Sequence, residues 1–242
     1  MKPLADQVAV VTGASSGIGK AIALGLAKEG ATLCLVGRNL ETLETVAKNA
    51  RTTAPRVLSF QTDLTLDKDI HELVGRLQRD FGHVNILIHS AGVLSMGLLD
   101  HASIESFDLQ YKINVRGPYV LTQALLPMIR SCKGQIVFIN SSVGLNARAN
   151  VGQYAATKHA LRAFADSLRE EVNADGLRVL SLFLGRTASP MQATVHKMEG
   201  RTYHPEYLIQ PEDIASVVIN ALSLSRSAEV TDISIRPLLK SY

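Results

Sequence analysis

Tyr154 and Lys158 stand four residues apart, and Ser141 lies thirteen residues before the tyrosine. Residues i and i+4 share one face of a helix, so the Lys158 ammonium is expected beside the Tyr154 hydroxyl. A phenol in water ionises near pH 10, and a neighbouring cation favours the phenolate. A shift of about three units, roughly 4 kcal/mol of differential interaction, would bring the phenol close to neutrality. A general acid–base works best there. The chemistry this suits is the proton step that accompanies hydride transfer.

A second set of residues could hold the hydride source. The chain opens with Thr12-Gly13-Ala14-Ser15-Ser16-Gly17-Ile18-Gly19, set between an apolar strand-like run and a helical pattern. Glycines let the backbone approach a pyrophosphate, and a helix N-terminus offers free N–H groups and a favourable dipole. Gly13, Ser15, Ser16, Gly17, Ile18 and Gly19 are therefore expected to line the phosphates. An ordinary glycine-rich turn is the competing reading, and the flanking strand and helix weigh against it.

About 20 residues on, an acidic side chain would bind the ribose hydroxyls of NAD, but this chain has Gly37-Arg38-Asn39. No carboxylate stands there to repel a 2′-phosphate, and Arg38 can pair with one. The expected cofactor is NADP(H), with Arg38 and Asn39 at the adenosine end.

Asn114 falls inside a predicted helix, where asparagine is a poor choice, and Pro118 follows four residues later. Proline has no N–H for the carbonyl of residue 114 and its ring crowds that carbonyl. The Asn114 carbonyl should be free to hold a water; the bland alternative is a simple kink at Gly117-Pro118.

Strand-like and helix-like segments alternate throughout. Strands are expected at 8–11, 32–36, 56–60, 86–88, 135–139, 178–184 and 230–235. Helices are expected at 18–28, 40–50, 68–81, 104–130, 154–173 and 211–224. Unbroken alternation with near-continuous apolar strands argues for an α/β fold: one doubly wound, Rossmann-type domain over residues 1–242, its seven-stranded parallel sheet flanked by helices. The stretch 185–207 is polar and irregular, and 186–207 reads as a lid over a substrate site.

Composition removes other classes. The 242 residues are 46% apolar, enough for a full core, and the net charge of +3 with scattered basic residues argues against nucleic acid. Cys34 and Cys132 lie in apolar surroundings without a metal or redox spacing, and are read as small core residues of a reduced compartment. The seven histidines form no paired ligand set, so no metal is expected. Met1 to Gln7 carries no signal-peptide pattern, and no apolar run approaches the ~18 residues of a membrane span. A soluble, cytoplasmic protein is expected.

Taken together, Thr-Gly-x-x-x-Gly-x-Gly, Asn114, Ser141 and Tyr154-x-x-x-Lys158 resemble the short-chain dehydrogenase/reductase family, in its order and at its spacing along nearly the whole chain. The resemblance implies an NADP(H)-dependent, ketoreductase-like enzyme acting on a carbonyl or secondary alcohol. It implies Tyr154 as proton donor, Ser141 bonding the carbonyl oxygen, and Lys158 lowering the phenol's pKa and holding the nicotinamide ribose. Asn114 would fix a water that resupplies the proton. Ser142 competes for the serine role, but the offset from Tyr154 favours Ser141.

The resemblance also implies that Asp63 and Leu64 touch adenine, that Gly92 follows the fourth strand, and that Thr187 and Ser189 approach the carboxamide and phosphates. A homodimer or homotetramer is implied by the same analogy. Three positions depart from the family pattern: His89-Ser90 stands for Asn-Asn, Leu184-Gly185 for Pro-Gly, and Asp232 to Pro237 for a glycine-bearing terminus. His89 is read as a hydrogen-bonded core histidine.

Arg148 is read first as a surface arginine, and alternatively as a rim contact for an acidic or polar substrate. Met191, His196 and Met198 could shape the pocket. Two other functions stay open: a catalytically silent NADP(H)-binding sensor or scaffold, and a sugar-nucleotide epimerase or dehydratase. The latter is disfavoured because no residues remain for a substrate domain.

Overall fold

The computed structural model describes residues 2–239. Seven strands form one parallel sheet: β1 (Val8–Thr12), β2 (Thr32–Gly37), β3 (Val57–Gln61), β4 (Ile86–His89), β5 (Gln135–Ser141), β6 (Arg178–Leu184) and β7 (Asp232–Ile235). Their order across the sheet is β3-β2-β1-β4-β5-β6-β7. The order reverses between β1 and β4, and the crevice beyond the carboxyl ends of those strands is where such sheets bind ligands.

Strand periodicity divides the core in two, because successive side chains leave opposite faces. Ala9, Val11, Leu33, Leu35, Ile86, Ile88, Val137 and Leu182 point to one side. They pack there against α1 (Gly17–Lys28), α2 (Leu40–Ala50) and α8 (Pro211–Leu222). Val10, Cys34, Val36, Leu87, Ile136, Phe138 and Val179 point to the other side. Those meet α3 (Asp67–Asp80), α5 (Gly117–Arg130) and α6 (Gly152–Val172). Burial of each such aliphatic side chain is worth about 1.5–3 kcal/mol, so both faces hold the sheet rigidly beneath the crevice. The near-continuous apolar strands follow from this two-sided cover: every residue of β1 and β6 is buried.

Cys34 is fully buried, as expected of a small core residue, while Cys132 is only partly so and donates its thiol to the Val84 carbonyl. Among the described residues no helix is long and apolar enough to cross a membrane, and no cluster of three metal-ligating side chains exists.

Two segments differ from expectation. The expected single helix over 104–130 runs as α4 (Ile104–Tyr111), a π turn over Lys112–Arg116, and α5. Pro118 cannot bond the residue-114 carbonyl, so the coil widens by one residue and Gly117 N–H reaches back to the Lys112 carbonyl. The stretch expected to be irregular contains α7 (Pro190–Met198), started by Pro190 and capped by Ser189, whose hydroxyl accepts from Gln192 N at 3.2 Å.

Candidate active site

Thr12 ends β1 and ties it to the start of the β4 loop. Its hydroxyl donates to the Ile88 carbonyl and accepts from the N–H groups of Ser90 and Ala91. The glycine loop then turns so closely that side chains are excluded. A Cβ on Gly19 would fall 2.3 Å from the Gly13 carbonyl oxygen, and one on Gly13, whose φ is +67°, 2.8 Å from Ala91.

Helix α1 has no acidic residue in its first turn, and Ser16 makes no side-chain cap there. The first-turn amides thus have no side-chain acceptor and present a favourable end to an anion. Beside them lies a cleft of about 270 Å³. Gly13, Ser15, Ser16, Gly17, Ile18 and Gly19 all line it, joined by Arg38, Asp63 and Leu64 from the far strands and by Gly92 and Ser189.

Asn39 is the member of this group that the structure gives other work. It is absent from the cleft wall; its carboxamide caps α2, accepting from Thr42 N at 3.0 Å. Asp63 is likewise engaged locally, its carboxylate accepting from the Thr65 amide and hydroxyl.

A second cleft of about 800 Å³ adjoins the first and shares Ser90, Gly92, Ser189 and Met191 with it. Ser141, Tyr154 and Lys158 line it, as do Ser142 and Thr187. Ser141 closes β5 at the carboxyl edge of the sheet, and Tyr154 sits in the first turn of α6. Lys158, one turn further along, holds its ammonium 5.7 Å from the centre of the Tyr154 ring and donates to the Ile139 carbonyl at 2.9 Å.

Asn114 does not face this cleft directly. Its side chain bonds both backbone groups of Val93 at 2.9 Å and reaches Thr157 Oγ1 at 3.1 Å. Thr157 in turn donates to the Tyr154 carbonyl at 2.8 Å. The π turn, the β4 loop and the start of α6 are thereby fastened together.

The electrostatics differ from the sequence expectation and correct it. Burial pushes the Tyr154 phenol up to about 12, while hydrogen bonding from Ser141 pulls weakly the other way. Burial also lowers Lys158 to about 8. Both groups lose hydration inside the protein, and the amine is directed to a neutral carbonyl, so loss of solvent outweighs the cation beside the phenol. The Tyr154 phenol is therefore shifted upward by burial, not downward by the lysine.

Sequence reasoning passed over Asn140. It lies in an apolar strand, buried, and accepts from Ser141 N at 2.7 Å while donating to the Lys158 carbonyl at 3.1 Å. A Cβ on Gly144 would fall 2.6 Å from its side-chain oxygen, so that turn is drawn tightly over it. An amide between Ile139 and Ser141 in an otherwise apolar strand was the available signal.

His89 is a core histidine, as expected. It is buried, bonds Thr122 Oγ1 at 2.7 Å through Nε2 and stacks on Phe138 at 4.9 Å. Its Nδ1 finds no partner among the described residues, and burial lowers its pKa to about 3. The unfolded ring takes up a proton near pH 6.5, so the unfolded state binds more protons across the interval between. The stability this ring contributes is complete above about pH 6.5 and is lost as pH falls toward about 3; at pH 5 the loss is on the order of 2 kcal/mol. Denaturant unfolding at pH 7 and pH 5 should show a smaller loss for His89→Gln than for the unaltered chain. Equal losses would exclude His89 as the source.

The other departures are braced. Gly185 N–H donates to the Ile235 carbonyl at 2.8 Å, and Pro237 packs within 3.0 Å of where a Gly185 Cβ would stand. Of the residues that could shape the pocket, Met191 and Met198 line the larger cleft, as does Arg148. His196 does not: it is buried in α7 against Tyr203.

Comparison with known proteins adds to this geometry. A family model described as short chain dehydrogenase matches residues 7–200. An uncharacterized oxidoreductase of Staphylococcus epidermidis is 33% identical over 239 residues, covering 98% of this chain and 100% of that protein. Among solved structures, an alcohol dehydrogenase from the archaeon Thermococcus sibiricus, complexed with 5-hydroxy-NADP, superposes with a TM-score of 0.89 at 26% identity and 98% coverage of both chains. The L-sorbose reductase of Gluconobacter frateurii, complexed with NADPH and L-sorbose, gives a TM-score of 0.88 at 27% identity and 97% coverage of both.

Proposed function

The chain belongs to the short chain dehydrogenase family of oxidoreductases, and from that premise we propose that it reduces a carbonyl compound to an alcohol with NADPH, Tyr154 donating the proton. The observation that carries this reading is the meeting of Ser141, Tyr154 and Lys158 in one cleft that opens beside the glycine loop.

The cradle fits a dinucleotide. Gly19 and Gly13 have no room for a Cβ, and the α1 amides have no side-chain acceptor. The pyrophosphate would lie on those amides, the adenosine between Arg38 and Asp63-Leu64, and the nicotinamide end toward Gly92, Thr187 and Lys158. Bound there, the cofactor supplies the hydride that the carbonyl carbon accepts.

The residues of the chain handle the charge that develops on oxygen. Ser141 donates a hydrogen bond to it, and Tyr154 transfers its phenolic proton to it, so the product is a neutral alcohol. Lys158 bonds the nicotinamide ribose and returns a proton to the phenolate. A water on the Asn114 carbonyl, for which Pro118 offers no N–H, resupplies the amine from solvent. The segment 186–207, with α7 within it, acts as the lid: Ser189 packs 3.3 Å from where a Gly17 Cβ would stand, so it can sense the glycine loop directly.

Consumption of NADPH against a panel of ketones and aldehydes tests the activity; a chain that binds NADPH yet turns over none is a sensor or scaffold. Arg38 makes the cofactor preference testable on its own. It is exposed at the cleft and has no acidic partner within ion-pair distance among the described residues. NADPH should bind at least about tenfold tighter than NADH, and Arg38→Gln should erase most of that margin, since a charge-assisted bond to phosphate is lost. Equal dissociation constants for the two dinucleotides in the unaltered chain would refute the assignment of NADPH.

A further inference from the structure

The larger cleft carries more positive charge than the proposed reaction uses. Four cationic side chains line it, Arg148, Lys158, Arg186 and Arg201, against one carboxylate, Glu199. Arg186 takes that carboxylate with both guanidinium nitrogens, at 2.8 and 2.6 Å, and holds its pKa below the ordinary value. Arg201 stands 3.8 Å from the same group, at its outer side, and is half exposed. Arg148 has no acidic group within 4 Å among the described residues. With Lys158 assigned to the phenol and ribose, Arg148 remains without a carboxylate, and Arg201 shares Glu199 with the more closely held Arg186.

Their place separates them from the dinucleotide phosphates. Neither Arg148 nor Arg201 lines the smaller cleft by the glycine loop. Arg148 rides on the turn between Ser141 and Tyr154, and that turn is anchored where the Asn150 carbonyl accepts from Gly97 N at 2.8 Å. Arg201 follows α7 and lines the same cleft. The same cleft is also lined by the apolar side chains of Leu94, Met96, Met191 and Met198.

We propose that this site reduces an oxo acid, a carbonyl compound with a short hydrocarbon body and a terminal carboxylate, and that Arg148 and Arg201 grip the carboxylate at the mouth. The inference rests on the reductase reading above and names its substrate class. A planar guanidinium matches a carboxylate in a two-point bond, and low-dielectric cleft walls concentrate the field of the cleft's excess positive charge onto an entering anion. The thioether and leucine side chains cover the hydrocarbon between the carboxylate and the carbonyl.

The test uses 4-oxopentanoate, 5-oxohexanoate and 6-oxoheptanoate beside their methyl esters, which keep the shape and remove the charge. NADPH oxidation gives turnover, and titration calorimetry on the protein saturated with NADP⁺ gives affinity. At least one acid should bind and react about tenfold better than its ester, and added salt should shrink that ratio. Arg148→Gln and Arg201→Gln should each lower the ratio by about threefold through KM, the two together should bring it to about one, and Arg148→Lys should restore part of the Arg148 loss.

If no acid in the series binds better than its ester, or the ratio ignores both arginine substitutions, the proposal is overturned whatever the turnover. Esters that react as well as acids overturn it while leaving the reductase standing. Acids that bind through Arg148 but never react support the anion site and remove the reductase reading.

Discussion

Tyr154→Phe should cut carbonyl reduction by roughly 10³-fold while NADPH binding changes less than about twofold. The substitution removes one oxygen and keeps the ring over which Lys158 rests. In the proposed reaction that oxygen carries the proton, and the Lys158 ammonium lining the same cleft is assigned to resupply it. Burial pushes the phenol up to about 12, so the proposed donor is protonated at neutral pH. Turnover of a reactive ketone, with cofactor affinity followed by nucleotide fluorescence, measures both effects. Activity in the variant within tenfold of the unaltered chain would mean that another donor serves.

Lys158→Ala should lower both rate and NADPH affinity, each by about ten- to a hundredfold. One amine is assigned two tasks, and removal strips both. It also leaves the buried Ile139 carbonyl without its 2.9 Å donor. An unpartnered buried acceptor costs about 1–3 kcal/mol of stability, which thermal unfolding would register separately from the kinetics. Lys158→Met keeps most of the packed stem without the charge and distinguishes lost packing from lost amine. A variant that kept unaltered rate and affinity would show that the ammonium serves neither substrate proton nor ribose.

The sheet was legible in the sequence because its physics is local: β-branched and leucine runs buried on both faces leave no other reading for β1, β4 and β6. Pro118 also announced a disturbance at Asn114, but not its form. A proline can end a coil, kink it or widen it, and here a π turn lets the helix run on into α5, which packs against α3. The helix within 186–207 was hidden by polar residues, since its start depends on Ser189 and Pro190 rather than on apolar periodicity.

The candidate site was legible where residue type and spacing suffice, as for Ser141, Tyr154 and Lys158 and for the glycine loop. Burial was not legible, and burial decided the electrostatics. A lysine one turn from a tyrosine suggests an acidified phenol, yet desolvation of both side chains raises the phenol and lowers the amine. Asn39 illustrates the same limit at the other end. It was expected at the adenosine end beside Arg38, but the start of α2 takes its side-chain oxygen.

Asn140 bears on how this molecule could be re-engineered. Its amide staples the serine of one strand to the lysine of α6, both from beneath, on a rigid sheet. The walls that would select a reactant come from elsewhere: the turn bearing Arg148, and the segment bearing Met191, Met198 and Arg201. On the proposed reading, the residues that hold the proton and the side chains that would meet the rest of the reactant come from different parts of the chain. Single substitutions at Arg148, Met191, Met198 or Arg201 should therefore shift which compounds are accepted while Asn140 keeps Ser141 and Lys158 in register.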